Sequence, residues 1–176
     1  MTWCLDEAGL DPGEVDAVAY SYDPALAMHP GARLPEHGWE GLRTLFVERA
    51  PYFLRTALPG LDPDVVTWVP HHIAHAASAY LAGPFERCSV IVADGRGERA
   101  SHLAGRAVDG DLEVLATQDL PHSLGLLYEE VTAHLGFRRS NDEYKVMALA
   151  SYAEPAFIDE FRRAVYATGD GGFRTD

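Results

Sequence analysis

The chain has 176 residues, 47% of them hydrophobic and 23% charged, with 16 Gly and 11 Pro, a composition that suits one ordinary globular core and excludes collagen, coiled coil and disorder. Its formal charge of -13, with no cluster of Lys or Arg to oppose it, argues against nucleic acid as a partner. Two distant cysteines, Cys4 and Cys88, no apolar run of spanning length and an acidic first segment predict a reduced, cytoplasmic chain with no membrane partner.

In chain order, Thr2 to Leu10 predicts a short helix ended by Gly9, and Val15 to Tyr22 a strand. The Pro/His/Gly-rich run from Asp23 to Glu40 predicts a surface loop. Gly41 to Leu58 places Leu42, Leu45 and Phe46 on one helical face, and Pro51, which has no amide donor, divides or kinks that helix. Val65 to Val69 predicts a strand and the Ala-rich His71 to Leu81 a helix that opens on histidines. Three strands, Cys88 to Ala93, Ser101 to Ala107 and Leu112 to Gln118, follow with tight turns between them, which is an antiparallel meander. Ser123 caps a helix in which Leu124, Leu127, Tyr128, Val131 and Leu135 share a face, and Gly136 stops it. A last helix is expected from Pro155, with Phe157, Phe161 and Val165 on one side, and then a frayed tail from Thr168 to Asp176.

His71 and His75 lie four apart, so on a helix both rings project from one face at a separation that suits a shared divalent metal. Eight His in 176 positions give about 0.3 such pairs by chance, so spacing alone leaves open a pair of helix-start histidines bonded to backbone or water. Asp94 strengthens the metal reading because it ends the apolar strand Ser89-Val90-Ile91-Val92-Ala93, although a turn-initiating role is its bland alternative. Two imidazoles and a carboxylate suit Fe(II), Zn(II) or Mn(II). The glycines of Asp94-Gly95-Arg96-Gly97-Glu98 would let amides approach a phosphate, against the alternative of a plain hairpin turn. Ser123, at a helix start beside His122, suits an anion or simple capping. In Asn141-Asp142-Glu143-Tyr144-Lys145, Lys145 reads as a solvated ion pair with Asp142 or Glu143, with an anionic ligand as the alternative. His134 reads as structural, and His29, His37 and His102 have no partner legible in sequence.

Three stretches taken together resemble one family: His71-His72-Ile73-Ala74-His75-Ala76-Ala77-Ser78-Ala79-Tyr80, then Val92-Ala93-Asp94-Gly95-Arg96-Gly97-Glu98, then Pro121-His122-Ser123-Leu124-Gly125-Leu126-Leu127-Tyr128 through Leu135-Gly136-Phe137 to Asn141-Asp142-Glu143-Tyr144-Lys145-Val146-Met147. Their order and spacing are similar to the NodU/CmcH-type O-carbamoyltransferases, which modify nodulation factors, cephamycins and aminoglycosides, and the likeness runs from about Val65 to Tyr152. The resemblance implies a mixed α/β fold, part of an actin-like, sugar-kinase-like ATPase domain with a central mixed sheet and flanking helices. Residues up to about 87 would belong to its first half, and those from about 88 to 176 would open its second. It implies ATP-dependent transfer of a carbamoyl group from carbamoyl phosphate, through carbamoyl-adenylate, to a hydroxyl of a sugar or antibiotic. His71, His75 and Asp94 would be metal ligands. Gly95, Gly97 and Ser123 would meet nucleotide or phosphate, with His72, Glu98, His122 and Lys145 as further candidates.

The chain also departs from the family pattern. The family's opening strand pair with its His-Asp-Ala-Ser segment, a further metal aspartate and the carbamoyl-adenylate-forming domain all fall outside it, so missing parts of its own enzyme are expected partners. An isolated piece of this kind is expected to be marginally stable, with unpaired edges and exposed apolar surface. Where the family reads Met-Gly-Leu-Ala-Pro-Tyr-Gly, this chain has Met147-Ala148-Leu149-Ala150-Ser151-Tyr152-Ala153. Two other readings are a non-catalytic remnant or interaction module and a tRNA threonylcarbamoyl-transfer subunit. The latter shares the His-x3-His helix but not the His122 to Tyr128 and Asn141 to Met147 stretches.

Overall fold

A computed structural model describes residues 1–27 and 39–175. The expected loop from Asp23 to Glu40 lies mostly outside the described residues, as do His29 and His37. The chain is mixed α/β and divides into two compact units, Met1–Ala74 and His75–Asp176.

In the first unit, α1 (Thr2–Ala8) ends on Gly9 in the left-handed region, at φ 66°. Strand β1 (Val18–Tyr20) is shorter than the sequence suggested and pairs in parallel with β2 (Val66–Trp68). Parallel neighbours need a long crossover, supplied here by α2 (Trp39–Glu48) and α3 (Ala50–Ala57). Pro51 sits in the first turn of α3, where its missing amide costs nothing, so the chain forms two helices that break at Arg49. Single 3₁₀ turns begin at Pro12, Pro24 and Pro63, each preceded by Asp. Asp23 and Asp62 accept the amides of Ala25 and Asp64 at 2.9 Å. Tyr22, Val47, Leu58 and Leu61 form the buried centre of this unit.

The division falls inside α4 (His71–Leu81), an unbroken helix of 11 residues that matches its expected bounds. In the second unit, β3 (Arg87–Ala93), β4 (Ala100–Val108) and β5 (Asp111–Asp119) form the expected antiparallel meander. Asp109 (φ 51°) and Gly110 (φ 95°) make the two-residue turn from β4 to β5, which needs positive φ at both positions. The Tyr80 hydroxyl donates to the Glu86 carbonyl and accepts from Gly110, which ties the end of α4 to that turn. Val90, Val92, Ser101, Leu103 and Ala107 are buried, whereas Ile91 on the opposite face is 79% exposed.

Helix α5 (Leu124–His134) begins at Ser123, whose hydroxyl accepts the Leu126 amide, and is followed by Gly136 at φ 86°. After α6 (Glu143–Ala150) comes α7 (Ile158–Ala164), which starts three residues later than Pro155. Two sequence expectations are corrected here. Val165 opens β6 (Val165–Ala167) rather than closing a helical face, and the tail pairs as β7 (Phe173–Thr175) instead of fraying. The tail is held by long-range bonds: the Phe173 amide donates to Gln118 Oε1, and the Thr175 amide to His122 Nδ1. Among the described residues the strands form sheets of two, three and two strands.

Candidate metal centre

Helix α4 presents His71 and His75 on one face, one turn apart. His71 Nδ1 lies 2.9 Å from the Ser21 carbonyl oxygen. A carbonyl only accepts, so Nδ1 carries the proton, and in the neutral ring this places the lone pair on Nε2, the tautomer a metal ligand requires. His75 Nε2 is 3.7 Å from Asp94 Oδ2, with the two side chains 48% and 28% exposed. One donor atom from each of His71, His75 and Asp94 lies within 4.8 Å of the others.

Bonds of about 2.0–2.2 Å put neighbouring donors on one tetrahedral ion about 3.3–3.6 Å apart. The His75 and Asp94 donors, 3.7 Å apart, already stand near that spacing, and the widest separation in the set, within 4.8 Å, needs to close by no more than about 1.5 Å, a movement within reach of the half-exposed His75 side chain. Two neutral imidazoles and a carboxylate fit a borderline divalent cation and leave positions for substrate oxygens.

Asp94 stands where β3 leaves the sheet. Its amide donates to the Ser101 carbonyl at 3.0 Å, and its Oδ1 accepts the Gly95 amide at 2.7 Å, which turns Oδ2 toward His75. The start of α5 closes over the next residue: Ser123 Oγ donates to the Gly95 carbonyl at 2.7 Å. Arg96 Nη2 meets Glu129 Oε2 of the same helix at 3.2 Å.

The family model for the carbamoyltransferase N-terminus matches residues 42–176. The chain belongs to this family. Nodulation protein NolNO of Sinorhizobium fredii is 33% identical over 184 residues, covering 99% of this chain and 26% of that protein. An uncharacterised Synechocystis protein is 32% identical over 178 residues, covering 90% of this chain and 28% of its own length. Nodulation protein NolO of Bradyrhizobium diazoefficiens is 37% identical over 105 residues, 59% of this chain and 19% of NolO. The chain thus spans about a quarter of the length of the first two relatives.

Elsewhere in this carbamoyltransferase chain the sequence candidates have defined internal partners. Gly95 and Gly97 direct their amides to Asp94 Oδ1 and to the Ala100 carbonyl, and Ser123 is bonded as a cap and as a clamp on Gly95. Glu98 is half-buried, and His72 is buried with its ring 5.6 Å from that of His71. The His122 ring is tied to Thr175, and its carbonyl accepts the Ser101 hydroxyl at 2.6 Å. His102 Nδ1 meets Ser101 Oγ at 2.9 Å, with Phe173 edge-on to its ring.

Lys145 pairs with Asp142 at 2.9 Å, and this is not the solvated pair expected from sequence, because the Asp142 side chain is only 6% exposed. Asp142 also accepts the Arg138 amide at 3.0 Å and the Asn141 side-chain amide at 2.8 Å. The Lys145 ammonium and the Arg138 amide hold the Asp142 carboxyl below the usual carboxylate range, and Asp142 in turn raises Lys145.

Sequence reasoning did not single out Ser21, Gly125 or Glu129. A carbonyl fifty residues from His71 leaves no local trace. A small residue two positions after the capping Ser123 was the one legible signal for Gly125.

Proposed function

We propose that this chain is the metal-binding part of an ATP-dependent O-carbamoyltransferase. The complete enzyme would take carbamoyl phosphate and ATP, form carbamoyl-adenylate, and transfer the carbamoyl group to a hydroxyl of a sugar or secondary-metabolite acceptor. The convergence of His71, His75 and Asp94 donors within 4.8 Å, in a chain of the carbamoyltransferase family, carries this reading. The family resemblance further supports an actin-like ATPase domain as its setting.

A divalent Fe, Zn or Mn ion held by these three side chains supplies Lewis acidity toward phosphate or hydroxyl oxygens. The chain's own contribution is orientation. Ser21 fixes the tautomer of His71, and the Gly95 amide occupies Oδ1 of Asp94 so that Oδ2 is the oxygen offered. His75 closes the set from the exposed side.

The test uses the complete gene product, with metal content measured by mass spectrometry and transfer followed with carbamoyl phosphate, ATP and a panel of polyol, saccharide and aminoglycoside acceptors. His75→Ala and Asp94→Asn should each weaken metal binding by at least about tenfold and abolish transfer. Full metal content in both variants would remove the metal-site reading. Absence of transfer to every acceptor by metal-loaded wild-type protein would remove the catalytic one.

A further inference from the structure

We infer that Gly125, with Ser123, is a positioning residue for the Asp94 ligand: the first turn of α5 sets the aim of its carboxylate through the Asp94-Gly95 backbone. This inference rests on the metal-site reading above.

The geometry is specific. A Cβ on Gly125 would stand 2.5 Å from Gly95 Cα, 2.6 Å from Gly95 N and 2.9 Å from the Asp94 carbonyl oxygen. All three obstacles are backbone, so no side-chain rotation relieves them. The crowded nitrogen is also the one whose hydrogen holds Asp94 Oδ1 at 2.7 Å. Displacing the Gly95 amide therefore moves the group that decides which Asp94 oxygen faces His75.

Ser123 pulls where Gly125 permits approach. Its hydroxyl donates to the Gly95 carbonyl at 2.7 Å and lies 3.3 Å from that of Asp94, while its oxygen accepts the Leu126 amide at 3.1 Å. The Ser123 side chain thus ties the Asp94-Gly95 peptide to the frame of the helix, and at 1% exposure it is shielded from water that could compete for those bonds. Capping alone would require only the bond to Leu126. The bond to Gly95 and the missing Cβ at position 125 serve the turn.

The experiment measures Zn(II) affinity by chelator competition, and the visible absorption of Co(II)-loaded protein, on the complete gene product and four variants. Gly125→Ala should bind Zn(II) at least about tenfold more weakly and shift the Co(II) ligand-field bands, because the carboxylate is re-aimed while remaining present. Ser123→Ala should weaken Zn(II) by about threefold or more. Thr132→Ala is the control for general damage to α5: Thr132 is fully buried in the same helix, with its hydroxyl bonded to the Tyr128 carbonyl and its own carbonyl to the Phe137 amide. It should lower the melting temperature and leave Zn(II) affinity and Co(II) bands unchanged.

Wild-type affinity and bands in Gly125→Ala, or equal losses in Thr132→Ala, would overturn the positioning role. Should Gly125→Ala fail to fold, Ser123→Ala decides by the same comparison with Thr132→Ala. The fourth variant, Asp94→Asn, separates this inference from the reading beneath it. If it keeps wild-type Zn(II) affinity, the metal site itself is wrong, whereas loss there with no change at positions 123 and 125 refutes positioning alone.

Discussion

Gly105→Ala tests the packing of the meander that carries Asp94. Gly105 is buried in β4 at a shift of register, where pairing passes from Ala104 opposite Ala116 to Gly105 opposite Val114. A Cβ there would lie 2.7 Å from the Glu113 carbonyl oxygen, while ordinary contact begins at 3.4 Å, so the two strands must separate locally by 0.7 Å. The obstacle is the backbone of β5, which cannot yield without straining its own pairing. Overpacking of this kind costs about 1–3 kcal/mol. The stiffer unfolded chain returns about 0.4–1 kcal/mol, leaving a net loss of about 0–2.6 kcal/mol, centred near about 1.3 kcal/mol. For a chain of this size the central value lowers the melting temperature by about 3–5 °C. Thermal melting by circular dichroism, with urea unfolding to confirm an unchanged slope, measures it. Gly41→Ala supplies the opposite sign, because Gly41 is an exposed position in α2 with nothing within 4 Å of its added Cβ, and should gain about 0.5–1 kcal/mol. Equal or greater stability of Gly105→Ala would show that the β4–β5 irregularity accommodates a side chain and would refute the steric argument.

Ser101→Ala should cost about 1–3 kcal/mol in urea unfolding, since a fully buried hydroxyl that donates to the His122 carbonyl at 2.6 Å, with the Gln118 carbonyl 3.2 Å away, is removed without a replacement donor. Asp142 predicts a pH effect. Its carboxyl is held below the ordinary 3.8 by Lys145 and the Arg138 amide, so its contribution is complete above the unfolded value and disappears as pH falls through the lower folded value. Asp142→Asn should therefore lower the urea midpoint near neutrality and flatten its decline as pH falls below the ordinary 3.8. An unchanged pH profile would refute the linkage.

Elements dictated by local pattern were legible in the sequence, and those dictated by distant partners were not. The apolar stripe from Leu124 to Val131, bounded by Ser123 and Gly136, specifies α5 within its own residues. The Asp109-Gly110 turn likewise specifies where β4 reverses. Val165 failed as a helix position because its spacing from Phe157 and Phe161 also suits a helix end. Its strand state depends on Phe173 to Thr175, which are in turn held by Gln118 and His122 more than fifty residues earlier. Asp142 read as a surface acid because its neighbours in sequence are polar. The reversal of the chain at Arg138 to Ser140, with Ser140 at φ 57°, folds amide donors over its carboxylate and buries it. At the candidate metal centre the candidate residues and their spacing were visible, whereas the Ser21 carbonyl that meets His71 and the first turn of α5 that holds the Gly95 carbonyl come from tertiary structure.

The contrast between aiming groups and ligands extends to stability. The His75–Asp94 pair is 3.7 Å apart with 48% and 28% of the side chains exposed, so even a protonated His75 gains little from it: exposed pairs contribute about 0–1 kcal/mol, and salt screens part of that. His75→Ala, at a half-exposed position of α4, should therefore change the urea unfolding free energy of the metal-free protein by less than about 1 kcal/mol. The same variant should abolish the stabilisation that saturating Zn(II) gives the wild type, which at a hundredfold excess over Kd is about 2.7 kcal/mol. A large loss of metal-free stability would assign His75 to the fold. Zn(II) stabilisation retained in full would remove it from the metal site, and the expected pattern, neutral without metal and costly with it, is one that a merely structural histidine does not produce.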